Sequence, residues 1–325
     1  MDTTLVIEQM LVILILIALG AFLYKKGFLA DKTVKQISWI IINVTNPAIL
    51  LSSAIEEDAK IPPGEIAQVF AISIAAYLLA GIFGWIIGCI LRKDSYGRTA
   101  IMLMTVFANV GFIGIPLALA TLGTRAMVYV SINNLIYCIL FYSVGMALIK
   151  RSAPAGEGGG QDKKQSKTAP ANALLGMINA GTISAVLTVC VYLFKPPVWS
   201  VISDPLLYAG RCTTFLSMLV LGVSVASSSI REFVTDVKLW VFVILRGVAV
   251  PVIAAFILSF FISDDFMLST VLLLLAVPAG NMPMIVSRQL GLDDTLFSRG
   301  IIMSTLVSVV TIPFVVVIFK GLHGL

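Results

Sequence analysis

Long apolar runs dominate this sequence, and where they can be buried decides what the chain can become. Ten stretches are long and apolar enough to cross a bilayer: roughly 4–24, 34–54, 66–91, 98–122, 126–149, 173–194, 203–226, 237–261, 266–290 and 295–319. A crossing helix needs about 20 mostly apolar residues. Only 12% of the chain is charged, whereas a soluble domain carries about 25%, so the outer faces of these runs need lipid as their solvent. In lipid, a spanning segment must satisfy its own backbone, which leaves helices and closed barrels. Continuous runs of this length specify helices, and the expected fold is an all-α membrane protein.

The charges between the runs set the orientation. With the N-terminus outside, sixteen lysines and arginines fall in inside loops and five outside, while Arg246 lies well within a span. The positive-inside bias then expects ten spans in a cell (inner) membrane, with both termini outside. No basic residue precedes the first run, and Lys25-Lys26 follow it, so the first span is expected to be retained. Residues 152–172 form a polar, Gly- and Lys-rich linker, expected to be flexible and cytoplasmic. It divides the chain into halves, 1–151 and 173–325, of five spans each. An odd number of spans per half places the halves in opposite orientations, which is the arithmetic of an inverted repeat.

Composition excludes several classes of function. The basic residues sit in short loops with no aromatic-basic patch, so no nucleic-acid partner is expected. Cys89, Cys138, Cys190 and Cys212 lie in or beside apolar runs without metal-ligand spacing, and no metal site is expected. His323 is the single histidine. No span carries a central Asp pair, or a Ser with a base, so an intramembrane enzyme is not expected. The missing central carboxylate also argues against the usual proton antiport. Sodium held by carbonyl, Asn, Ser and Thr oxygens stays open, and no other cofactor is expected.

Chemistry concentrates where two spans are interrupted. Asn109-Val110-Gly111-Phe112-Ile113-Gly114-Ile115-Pro116 lies mid-span, and its two glycines and proline predict a broken helix there. Pro278-Ala279-Gly280-Asn281-Met282-Pro283 interrupts the corresponding span of the second half. Each interrupted span exits through Leu-Gly, at Leu122-Gly123 and Leu290-Gly291. Broken spans in matching positions are the best sequence pointer to a transporter's binding site. Half-helix N-termini carry partial positive charge suited to an anion, and Asn109 and Asn281 add amide donors and acceptors. The candidate substrate residues are therefore Asn109, Gly111, Gly114, Pro116, Asn281 and Pro283.

Three further candidates are open to two readings each. Asn133 and Asn134 either touch substrate or satisfy backbone freed by the break. Arg246 is either an anion's counter-charge or a side chain snorkelling to the cytoplasmic interface. Asn46-Pro47, a further local break with Asn43 one turn before it, either contacts substrate directly or is an ordinary proline kink.

The Asn109–Leu117 run, the Pro278–Pro283 run and the ten spans with a central hydrophilic loop resemble the auxin efflux carrier family. That family includes plant PIN-type exporters and bacterial organic-acid permeases. The resemblance implies that the broken helices cross at Pro116 and Pro283, within a transport domain of spans 3–5 and 8–10. It also implies a scaffold of spans 1, 2, 6 and 7, dimerisation through that scaffold, and elevator-type movement. Span six departs from the pattern, with Asn179-Ala180 where many members have Asn-Pro, and Tyr77 occupies the region of span three where plant exporters carry an acidic residue. These departures favour a bacterial member that moves a small mono- or dicarboxylate rather than auxin. The alternative is a membrane receptor or sensor on the same fold that no longer transports.

Overall fold

The computed structural model describes residues 3–56, 61–92, 94–153, 179–227 and 235–323. The linker at 152–172 and the start of the sixth apolar run lie almost wholly outside these residues.

Apolar content sets the helices, and turn chemistry ends them. In chain order they are α1 (Thr3–Lys25), α2 (Lys32–Glu56), α3 (Pro63–Leu91), α4 (Ser95–Val106), α5 (Val110–Leu122) and α6 (Ala126–Ser152). Then follow α7 (Ala180–Phe194), α8 (Ser200–Ala226), α9 (Val237–Ser259), α10 (Asp265–Ala276), α11 (Met282–Gln289) and α12 (Thr295–His323). Seven of them are long and apolar enough to cross a membrane, and α5, α7 and α10 are shorter apolar helices. Asp94, Asp236 and Asp264 cap α4, α9 and α10, each accepting from N–H groups of the first turn. Gly123 and Gly291 terminate α5 and α11 in left-handed backbone, at φ 78° and 70°, so the two Leu-Gly exits share one role.

Among the described residues four helices contain a π turn: Ile41–Thr45 in α2, Val110–Gly114 in α5, Phe141–Gly145 in α6 and Leu245–Ala249 in α9. Three of these end directly before an X-Pro pair, at Asn46-Pro47, Ile115-Pro116 and Val250-Pro251. Proline lacks an N–H and clashes with the carbonyl four residues back. A turn widened by one residue relieves that clash without breaking the helix. The helix therefore passes through Pro116, and the chain breaks earlier, at Phe107–Asn109.

Helix packing relies on glycine at the closest approaches. The helices α1, α8, α2 and α7 pack in that sequence, while α3 packs on α4, and α9 on α10 and α12. A Cβ on Gly210 would stand 2.8 Å from Ile49 Cα, and one on Gly20 would stand 2.8 Å from Leu219 Cα. A Cβ on Gly222 would collide with the Ile17 carbonyl oxygen and lie 2.7 Å from Ala21 N. Backbone on backbone leaves nothing that can rotate away. Gly222→Val should therefore separate α1 from α8, lowering the unfolding temperature in detergent and turning a monodisperse elution profile into aggregate. Wild-type behaviour of this variant would mean that the α1–α8 seam is not as close as the structure has it.

Candidate substrate site at a backbone crossing

The two breaks meet. The Asn109 N–H donates to the Pro278 carbonyl at 2.8 Å, and the Gly280 N–H donates to the Phe107 carbonyl at 2.8 Å. Together they form an antiparallel bridge between Ala108 and Ala279. A third donor freed by the break, the Ala279 N–H, reaches Ser304 Oγ on α12 at 3.2 Å. Each broken strand thus meets in its partner the hydrogen bonds that lipid cannot provide. Gly280 is required here by close approach, since a Cβ would stand 2.8 Å from the Ala108 carbonyl oxygen and 2.9 Å from that of Phe107. Phe107 seals the crossing from one side. It is buried, with edge-to-face contacts to Tyr137 and Phe141 at ring separations of 5.1 and 5.0 Å.

The crossing separates two chemically opposite sides. On one, α5 and α11 begin, and their first turns carry N–H groups with no helical partner. These turns face a cavity of about 310 Å³ bounded by α2, α5, α6, α7, α8 and α11. Asn109 Oδ1 accepts from the Phe112 N–H at 3.3 Å and so caps α5, while its buried Nδ2 has no partner. Asn281 stands at the equivalent position of α11 without capping it. Asn46, Asn134 and Asn179 complete the amide lining. Asn46 comes in over Gly111, where a Cβ would lie 3.0 Å from its Nδ2, and its buried Oδ1 is also unpartnered. Asn134 donates to the Gly181 carbonyl at 3.4 Å, and Asn179 caps α7 by accepting from the Thr182 N–H at 3.0 Å. Tyr137, Tyr142 and Phe112 supply aromatic wall, and among the described residues no Lys, Arg, Asp or Glu lines the cavity.

Of the residues singled out by sequence, Asn109, Gly111, Asn281 and Asn134 come together here, and the other five do not. Gly114 packs near Val110 and Leu274. Pro283 occupies the first turn of α11, where a missing N–H costs nothing, and Pro116 lies inside α5 directly after its π turn. The crossing point is therefore Phe107–Asn109 with Pro278–Gly280, upstream of the two prolines. Asn133 turns the opposite way from its neighbour. Its Oδ1 accepts from the Tyr77 hydroxyl at 3.0 Å, beside a small cavity of about 20 Å³ also lined by Ser73, Thr105 and Leu274. Arg246 neither lines the large cavity nor snorkels, being 1% exposed. Its Nε donates to the Met104 carbonyl in the last turn of α4 at 3.1 Å.

Asn46, one of the two-way readings, lines the cavity, and Asn179, Gly181, Ser184 and Tyr142 line it without having been singled out for it. Asn46 had a sequence signal in the proline that follows it. The others depend on which face α6 and α7 turn inward, and uniformly apolar helices do not encode that.

A helical bundle with seven apolar helices long enough to cross a membrane and two broken members that cross over an amide-lined cavity defines a polytopic membrane protein. Comparison with known proteins gives the family. A family model described as membrane transport protein matches residues 5–316, and the chain belongs to this family, the auxin efflux carriers. A protein of Methanothermobacter thermautotrophicus is 24% identical, over 94% of this chain and 96% of its own length. Another, from Methanocaldococcus jannaschii, is 26% identical over the same shares. Both are described as uncharacterized transporters. The family is one of membrane transporters, not of enzymes.

Proposed function

We propose that the protein is a secondary carrier for a small organic monoanion, held by its carboxylate at the N-termini of α5 and α11. The observation that carries this reading is Asn109 at the start of α5, which lines the cavity and has a buried Nδ2 without a partner, with no charged side chain among the described lining residues. Each N-terminus is equivalent to about +0.5 charge, so the pair matches about one negative charge. A monocarboxylate is balanced there, whereas a dicarboxylate would bury a second charge with no partner. Aromatic and aliphatic walls suit an apolar body on the same molecule, and about 310 Å³ lies within the usual range of ligand pockets.

In this reading the ten runs are ten membrane passages, with α4–α5 and α10–α11 as the broken fourth and ninth. The shared Leu-Gly exits and the antiparallel bridge support an inverted repeat. The substrate moves by elevator-type alternating access. The crossing, with α3, α6, α9 and α12, slides past a scaffold of α1, α2, α7 and α8 whose seams are glycine-lined. The scaffold is also the proposed face of a homodimer, and the linker is cytoplasmic. A thermal-shift screen of mono- and dicarboxylates on purified protein tests the substrate class. A ligand at 100 times its Kd stabilises the folded state by about 2.7 kcal/mol, so monocarboxylates should raise the unfolding temperature and matched dicarboxylates should do so far less. Equal response to both, or to neither, overturns the monoanion reading.

A further inference from the structure

The opposite side of the crossing is where α4 and α10 end, and its carbonyls have lost their donors. The Asn109 N–H that would serve Thr105 O goes to Pro278 O instead. Leu274 O faces Pro278, which has no N–H. The Gly280 N–H that would serve Ala276 O goes to Phe107 O. Two helix C-termini converge, each equivalent to about −0.5 charge, so this side carries about one negative charge in a membrane interior. Such a constellation ordinarily calls for a cation.

The chain provides one. Arg246 projects from the π turn Leu245–Ala249 of α9, which packs against α10 and α12. Its Nε donates to Met104 O, a buried carbonyl in the last turn of α4, at 3.1 Å. Nη1 and Nη2 are buried without side-chain or backbone partners, and no carboxylate pairs with the group among the described ion pairs. A guanidinium keeps its charge in such surroundings, and burying it without a compensating field would cost several kcal/mol. The compensating field available is that of the half-helix C-termini.

We infer that Arg246 is a positioning residue that acts as the built-in cation of the crossing, filling at the carbonyl side the role a co-transported metal cation would otherwise take. It ties the end of α4 to α9, which packs on α10, without touching substrate. Only the consequence for coupling rests on the carrier reading: with its own cation in place, the protein needs no sodium to stabilise a loaded site.

Chemical rescue tests this without any substrate. Thermal unfolding of purified Arg246→Ala and wild type is measured in guanidinium chloride, sodium chloride and choline chloride at low, equal, non-denaturing concentrations. Wild type should not distinguish sodium from choline. Arg246→Ala should unfold several degrees lower and recover part of that loss in guanidinium beyond what choline gives. Should Arg246→Ala fail to assemble, Arg246→Lys and Arg246→Gln carry the comparison, since the lysine keeps the charge and the glutamine keeps only polarity. The lysine variant should retain clearly more of the wild-type unfolding temperature. No guanidinium-specific recovery in Arg246→Ala, or a glutamine variant as stable as the lysine variant, overturns the inference. A sodium-dependent stabilisation of wild type overturns it as well. The absence of carboxylate binding would defeat the carrier reading while leaving these results standing.

Discussion

Asn109→Ser should fold like the wild type and bind its anion about 10- to 100-fold more weakly. The two ends of the Asn109 amide have separate jobs. Oδ1 caps α5 through the Phe112 N–H, and Nδ2 is a buried, unpartnered donor on a residue that lines the cavity. Serine caps a helix about as well as asparagine, so the first job survives. The second is lost with Nδ2, and a hydrogen bond to a charged group is worth about 1.5–3 kcal/mol, which sets the range. Asn109→Ala removes both and should additionally lose about 1 kcal/mol of stability. Binding isotherms and unfolding curves on the two variants separate the roles. Equal affinity in Asn109→Ser and wild type would mean that the amide is a cap and nothing more.

Gly280→Ala should have the larger structural effect. Its Cβ would press on two backbone oxygens of the opposing strand, at 2.8 and 2.9 Å. Neither can rotate away, because each belongs to the bridge itself. Relief requires separating the strands, which gives up the two cross-strand hydrogen bonds at 2.8 Å. Overpacking costs about 1–3 kcal/mol and each hydrogen bond about 1 kcal/mol, so a loss of about 3–5 kcal/mol is expected, with binding lost as well. Gly81→Ala is the control, since nothing lies within 4 Å of a Cβ there. If both variants unfold at the wild-type temperature, the backbone pairing of the two breaks is not what holds the crossing.

Helix positions were legible from the apolar runs because burial in lipid leaves the backbone few choices. The pairing of the two interrupted spans was legible because Gly, Pro and Asn recur with the same Leu-Gly exit. The exact point of the break was not. Proline at 116 reads as a helix breaker, but the π turn at Val110–Gly114 absorbs it, and a widened turn has no composition of its own. The same device recurs before Pro47 and Pro251, so these three prolines mark a change of helical phase more than an end. Adjacent Asn133 and Asn134 face different cavities, and only the rotation of α6 decides which one reaches the large one. Arg246 stood out as an intramembrane charge. Its partner is a carbonyl 142 positions earlier, which no local pattern announces.

The central claim is that the amide-lined cavity at the crossing holds an anion that is then carried across. It is tested most directly by uptake into proteoliposomes of the monocarboxylate that gives the largest thermal shift, labelled and measured against time. Wild-type protein should load the vesicle lumen well above protein-free vesicles, and Asn109→Ser at the same low concentration should lose most of that flux. Wild-type protein that binds the compound yet moves none of it would make the molecule a receptor on a carrier's fold, and undiminished flux in Asn109→Ser would place the transported anion elsewhere.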